Sequence, residues 1–400
     1  MTGLLDQDAG LRRSLEALDD FMPASIALRH AIHEQPFIGG HEAPTADLVA
    51  AALGRPDATR VAEGRIIRFG QATGPSIALR AELDALPIRE ETGVDWASAN
   101  GAMHACGHDV HLAALVAASL AIEHVIAGDP SAIPLVSILQ PREECLPSGA
   151  RDVVQSSEFK EQDVRAIIGV HVQPALRSGT FSAAPGAVNA SADEFRMTIT
   201  GQAGHGAYPH MTSDPIVAAA HVVQALQYLV SRQSDPMSPT VITIGSIHGG
   251  DAPNAIPGSV ELSGTLRTYD EAERRALHAA IERTALATAS IHGCGADVRI
   301  GLGEPVLVND EALAAALSPW IAATGVYEGR QLRSCGADDF AYFTALVPGV
   351  MVFYGVGSDE PEAPGLHSPR FLPDDSHVRG VAATMVASYF AASRYLAKHS

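Results

Sequence analysis

Three apolar runs rich in β-branched residues stand close together in the first half of the chain: SIALRAELDALPI (76–88), IPLVSILQP (133–141) and VRAIIGVH (164–171). They are too continuous for strands with one wet face, so they read as strands covered on both sides. Helical stretches separate them, over 109–127 and roughly 149–157. Strands alternating with helices in this way give an α/β fold, with a doubly wound sheet between layers of helices. At 400 residues the chain is also too long for one ordinary core, so two domains are expected.

The pattern changes near residue 188. ADEFRMTITG alternates, with Phe195, Met197 and Ile199 on one face, as a half-exposed strand does. A helix follows (DPIVAAAHVVQALQYLVSR), then two strands (TVITIGSIHGG and SVELSGTLRTY), a second helix (EAERRALHAAIERTALATAS) and a last strand (ADVRIGL). This β-α-β-β-α-β order is ferredoxin-like. After Pro305 the α/β character returns with EALAAALSPWIAAT, GVMVFYGVG and RGVAATMVASYFAASRYLA. The expected organisation is therefore a catalytic domain in two parts, 1–187 and 305–400, with an α+β domain inserted at 188–304.

Charge and cysteine usage narrow the function classes. With 27 Lys and Arg against 46 Asp and Glu, the net charge is −19, which argues against a nucleic-acid partner, whose phosphates need basic side chains. The apolar run at 112–122 is about half of the ~20 residues a membrane span needs, so no membrane is expected. The opening MTGLLDQDAGLRRSLEALDDF has early acids and no apolar core of a signal peptide. Cys106, Cys145, Cys294 and Cys335 are scattered, which does not read as a disulfide framework and suits a reducing cytoplasm.

The chemistry concentrates in GAMHACGHDVHLAALVAASLAIE (101–123). Cys106 and His108 sit in a glycine-containing turn, and Asp109 is the expected N-cap of the helix behind it. Thiolate and imidazole both bind zinc-like metals, although C-x-H alone also arises from a buried thiol beside unrelated histidines. The other strand ends add weight, because open α/β sheets bind ligands beyond the carboxyl ends of their strands. The run at 133–141 leads into Arg142-Glu143-Glu144, the run at 164–171 ends on His171, and GLHSPRF with His367 follows the run at 349–357. Five donors are too many for one tetrahedral ion and suit two ions. Of Glu143 and Glu144, one carboxylate can bind metal while the other takes a proton from the activated water. The inserted domain carries GQAGHGAYPH, with His205, Tyr208 and His210, then Asn254 before Ile256-Pro257, and Arg267 at a strand end. Arginine pairs with carboxylates, and Asn and His donate to oxyanions.

Together these segments resemble the metal-dependent aminoacylase and exopeptidase family, which includes hippurate hydrolases, hydrolases of indole-acetic acid–amino acid conjugates and N-acetyl-diaminopimelate deacetylases. The match runs through MHACGHDVH, RAELDALPIRE, QPREE, GVHVQP, GHGAYPHMTSDPI, NAIPGSVELSGTLR, DDFAYF and GLHSPRF. The resemblance implies that Cys106, His108, Glu144, His171 and His367 bind two divalent ions, with Glu143 as general base and Asp84 supporting the metal centre. It makes the inserted domain a lid that also forms a homodimer. His205 would stabilise the oxyanion, in some relatives from the partner subunit, and Asn254, Arg267 and Tyr208 would hold the substrate. Cysteine favours zinc on softness, while manganese, cobalt or nickel occupy related sites. The implied reaction is hydrolysis of an N-acyl amino acid by a metal-activated water, releasing a carboxylic acid and a free amino acid. A dipeptidase or carboxypeptidase on the same scaffold, or a silent ligand-binding relative, are the alternatives. Three departures stand out: Glu82 where the family has Asp, Asp338-Asp339-Phe340 where it has Glu-Asp-Phe, and Cys145 after the glutamate pair.

Overall fold

The computed structural model describes residues 8–358 and 362–399, so residues 1–7 of the sequence opening lie outside the described residues. The described residues divide into two compact units: 8–188, 308–333, 339–358 and 362–399 form the first, and 189–307 with 334–338 form the second.

The first unit is built on a mixed eight-stranded sheet. Its order is Thr59–Val61, Gly64–Phe69, Leu135–Gln140, Ser76–Glu82, Val164–Arg177, Gly349–Gly357, Thr180–Ser182, Tyr327–Glu328. The four central strands run parallel to one another. Ser76–Glu82 and Leu135–Gln140 are buried along their whole length, as the unbroken apolar runs require. The run at 76–88 is strand only as far as Glu82, beyond which Asp84 turns to receive backbone amides of another loop.

The strand expected to end on His171 continues to Arg177. Gly349–Gly357 accompanies it, pairing Phe353 with His171 and Gly357 with Arg177. On its other side the neighbour has almost run out, since Arg80 pairs with Gly169 and that strand stops at Glu82. His171 thus lies in mid-strand but level with the end of the shorter strand beside it.

The helix His108–Ile126 is 19 residues long and apolar enough to cross a membrane by length and composition, more than the run at 112–122 suggests. Most of it is enclosed, in a core shared with the helices Ala9–Glu34 and Ser376–His399. Asp109 is not its N-cap. Gly107 holds that place in a left-handed conformation, where a Cβ would meet Val172 Cγ2 at 2.4 Å. The fully buried Asp109 carboxylate instead takes Arg29 Nε at 2.9 Å and His33 Nδ1 at 3.1 Å, because a buried anion needs charged donors more than a helix needs a cap. Arg29 also donates to Asp375 Oδ1 at 2.7 Å and to the Pro373 carbonyl at 2.6 Å, tying the first helix to the loop before the last.

Burial disfavours the charged form of His33, but Asp109 and Glu90 outweigh it, so its pKa lies above the ordinary imidazole value. A raised folded pKa stabilises fully below the unfolded value of about 6.5, and the contribution fades as pH rises through the folded value. His33→Gln should therefore lower Tm most at pH 6, with the gap from the parent narrowing towards pH 9. A gap that stayed constant or widened in thermal denaturation would remove the His33 proton from this account.

The second unit has a four-stranded antiparallel sheet in the order Thr240–His248, Ser259–Thr268, Asp193–Thr200, Gly295–Leu302. In chain order this is 2-3-1-4, the ferredoxin-like arrangement. Phe195, Met197 and Ile199 are buried on the face covered by the helices Pro215–Tyr228 and Glu271–Ile291. Asp214 and Asp270 cap those helices, accepting from Ile216 N at 2.9 Å and Glu273 N at 2.7 Å.

Candidate metal centre

In the first unit a strand, a helix start and the loops beside them bring the five sequence-nominated donors together. Ligand atoms of Cys106, His108 and Glu144 lie within 4.8 Å of one another. Cys106 Sγ is 3.4 Å from His171 Nε2, and Glu144 Oε1 is 3.2 Å from His367 Nε2. Glu143 Oε2 stands 3.8 Å from His108 Nε2. His367 is half exposed and has φ 63°, and its amide is fixed by the Ala105 carbonyl at 2.9 Å. Asp84 is buried and binds the glutamate pair from below, accepting from Glu143 N at 3.1 Å and Glu144 N at 2.8 Å.

The histidines are held in the tautomer that a metal needs. His108 Nδ1 is 2.8 Å from the Asp84 carbonyl and His171 Nδ1 is 2.7 Å from the Val172 carbonyl. A carbonyl only accepts, so Nδ1 carries the proton in each ring and the Nε2 lone pair faces the cluster. His108 Nε2 is buried and has no hydrogen-bond partner. Burial lowers the His171 pKa to about 3, keeping its ring neutral. Burial also disfavours a charged His108, but Glu82, Asp84 and Glu144 outweigh this and pull positive charge towards the ring. Burial, reinforced by Glu144, Glu143 and Glu82, pushes the Cys106 thiol well up. A thiol, carboxylates and two imidazole lone pairs packed out of water fit divalent cations, which would offset the negative charge and hold the thiolate.

A second group, Glu82, His108, His111 and His171, also has donor atoms within 4.8 Å. His111 is nevertheless committed elsewhere. Its Nδ1 is 2.8 Å from Glu82 Oε2, and its Nε2 accepts the Val172 amide at 2.9 Å, leaving no lone pair for a metal. Glu82 is in turn paired with the buried Arg80. Arg80 reaches Asp339 Oδ1 at 3.0 Å, and Asp339 also accepts from Gln140, Ser148 and the Ala150 amide. This buried network under the ligands was missed in the sequence. Its signal was the spacing Arg80-x-Glu82-x-Asp84, three charges alternating along an apolar strand and its exit. His104 is buried with neither ring nitrogen hydrogen-bonded, and burial lowers its pKa to about 3. Cys145 packs against Gly39.

In the second unit, His205 and Asn254 come together where two short segments distant in sequence, Gly204–His205 and Ala255–Ile256, pair antiparallel. Ala255 pairs with His205, Gly206 N donates to the Asn254 carbonyl at 2.8 Å, and the Tyr208 ring is 5.4 Å from that of His205. His205, Tyr208 and Asn254 are exposed. His205 Nδ1 accepts from Ala207 N at 3.1 Å, so Nε2 is the nitrogen left to carry a proton outward. Arg267 is not with them. It sits at the far end of Ser259–Thr268, about 27 Å along the strand from Ser259.

Residues 78–387 match the model of Peptidase family M20/M25/M40. The chain belongs to that family. It is a metal-dependent amide hydrolase. The chain is 33% identical to the N-acetyl-L-cysteine deacetylase of Bacillus subtilis (strain 168), over 91% of this chain and 86% of the relative. It is 37% identical to the N-acyl-L-amino acid amidohydrolase of Geobacillus stearothermophilus, over 74% and 80% respectively. Among solved structures, the Bacillus subtilis YxeP protein, described as a dinuclear metal-binding peptidase of the M20 family, superposes with a TM-score of 0.80. It is 30% identical, with 94% of this chain and 98% of that one covered. As an M20-family chain, this protein has donor groups that suit a pair of divalent ions.

Proposed function

We propose that this M20-family protein hydrolyses N-acyl amino acids to a carboxylic acid and a free amino acid. The observation that carries the reading is the Glu143 carboxylate, 3.8 Å from the unpartnered His108 Nε2, at the rim of a five-donor cluster. Cys106, His108, Glu144, His171 and His367 hold the ions, and Asp84 fixes the loop that carries Glu144. When bound, divalent ions polarise the amide carbonyl and make water easier to deprotonate. Glu143 accepts the proton of the attacking water and passes it to the leaving nitrogen, so one carboxylate serves as base and then acid. His205 donates from Nε2 to the oxyanion, Asn254 and Tyr208 flank it, and Arg267 pairs with the substrate carboxylate. The names of the similar deacetylase and amidohydrolase support the substrate class.

The inserted unit acts as a lid and as the surface of a homodimer. Ser259 closely follows the segment paired with His205, whereas Arg267 lies at the other end of Ser259–Thr268, about 27 Å along that strand, a span far longer than an N-acyl amino acid. One copy therefore supplies Arg267 to a site and its partner supplies His205. Zinc suits the thiolate best, with manganese, cobalt or nickel as substitutes. Four free cysteines support a reducing cytoplasmic setting.

The test is a panel of N-acetyl and N-benzoyl amino acids and dipeptides, given to metal-reconstituted protein and read by mass spectrometry. The expected outcome is kcat/KM at least about tenfold higher for N-acyl amino acids, a gap worth roughly 1.4 kcal/mol. Preferential cleavage of dipeptides would overturn the substrate class.

A further inference from the structure

The turn that carries the glutamate pair points three consecutive amides inward onto two buried acids. Arg142 N donates to Glu42 Oε1 at 2.7 Å, and the next two amides go to the two oxygens of Asp84. Successive amides closing on an anion in this way form a nest. Arg142 has φ 51°, the left-handed region that a Cβ disfavours. Its carbonyl accepts from Gly149 N at 3.0 Å, and a Cβ on Gly149 would lie 1.7 Å from the Pro141 carbonyl oxygen. The turn is thus closed at its far end by a contact only glycine permits, and at its near end by Glu42.

Glu42 has no other evident task. It is fully buried, and although it precedes the helix Ala43–Ala52 its side chain makes no capping bond there. Its Oε2 lacks a hydrogen-bond partner. Burial, with Asp84 and Glu63 nearby, pushes its carboxyl above the usual range. A buried acid in acidic company is costly, and what offsets the cost is its own backbone amide together with the Arg142 amide.

We propose that Glu42 is a positioning residue: by holding the Arg142 amide in the left-handed turn, it sets the directions in which Glu143 and Glu144 leave the backbone. The proposal rests on Glu143 as the base. If the turn relaxed to a right-handed conformation at Arg142, the following peptide would rotate and carry both carboxylates off line. Displacements of about 1 Å can cost 10²-fold in rate.

Reach and charge can be separated. Glu42→Asp keeps the charge but falls one methylene short of the amide, whereas Glu42→Gln keeps an acceptor oxygen at the same reach and removes the charge. The expected result for E42D is kcat down about 30- to 100-fold with KM within about threefold. Bound ions should remain by elemental analysis, and hydrogen exchange should quicken at least about tenfold in peptides covering 141–149. E42Q should stay within about fivefold of the parent in kcat and should keep the slow exchange. Adding Arg142→Gly to E42D should restore about tenfold, because glycine takes the left-handed turn without penalty. The reverse pattern, with E42D active and E42Q slow, would make Glu42 a charge and not a clamp. Unchanged exchange at 141–149 in E42D would overturn the proposal outright. Glu143→Ala measured in parallel keeps the two readings apart: if that variant turned over normally the base assignment would fall, while the exchange data would still decide whether Glu42 holds the turn.

Discussion

Glu143→Ala should keep its ions and slow hydrolysis by about 10³-fold or more. Moving one proton to and from a positioned carboxylate accounts for roughly 10²–10⁴ of rate. Glu143 is well placed for that role, with a side chain only 10% exposed and its amide fixed by Asp84. It is not a member of the Cys106–His108–Glu144 trio, so its removal leaves every nominated metal donor in place. Elemental analysis of the purified variant should match the parent, with the loss falling on kcat. Glu144→Ala provides the contrast, since it should lose metal as well as rate. Turnover near the parental rate in Glu143→Ala, with full metal content, would take the base role away from Glu143.

The site was legible in the sequence to the extent that chemistry and periodicity coincide. Cys106 and His108 announce themselves because soft donors are rare and here precede a buried helix. Glu144 and His367 could be placed because each follows an apolar run whose end is the ligand edge of an open sheet. His171 reaches that edge by a route the sequence does not show. Its strand does not stop there, and its position depends on where a neighbouring strand stops, which only the register reveals. Asp109 illustrates a different limit. By local rules it is an N-cap, but Arg29 lies 80 residues away in sequence and outbids the local amides once both are buried. Glu42 is harder still. In sequence it is an acid before a helix, and nothing local says that its oxygen will meet an amide 100 residues later. The helix Ala9–Glu34 escapes a sequence reading because it contains Pro23, a residue that ordinarily interrupts a helical pattern. Long-range polar pairings of this kind leave no periodic trace, so they appear only when the fold has brought their elements together.

Stripping the ions should cost at least as much as any single substitution. Without a cation, the cluster holds Cys106, Glu82 and Glu144 close together out of bulk water, and burial with neighbouring carboxylates opposes the thiolate. His108 Nε2 then has nothing to bind. Dialysis against a strong chelator should bring hydrolysis to near background, about 10³-fold down or more, because several kcal/mol of transition-state stabilisation leave with the ions. Titrating zinc or manganese back should restore the rate with a break near two ions per chain. Ions that bind the folded chain and not the unfolded one should each add about 2.7 kcal/mol of stability at 100 times Kd and raise Tm. Their hold should weaken in acid, where protons compete for thiolate, imidazole and carboxylate. His108→Ala should shift the titration to much higher metal concentration, and Asp84→Ala should shift it less, since Asp84 touches the loop and not the ion. Full activity in protein whose metal content has fallen below about a tenth of an ion per chain would contradict a role for the cluster in catalysis, whatever its geometry.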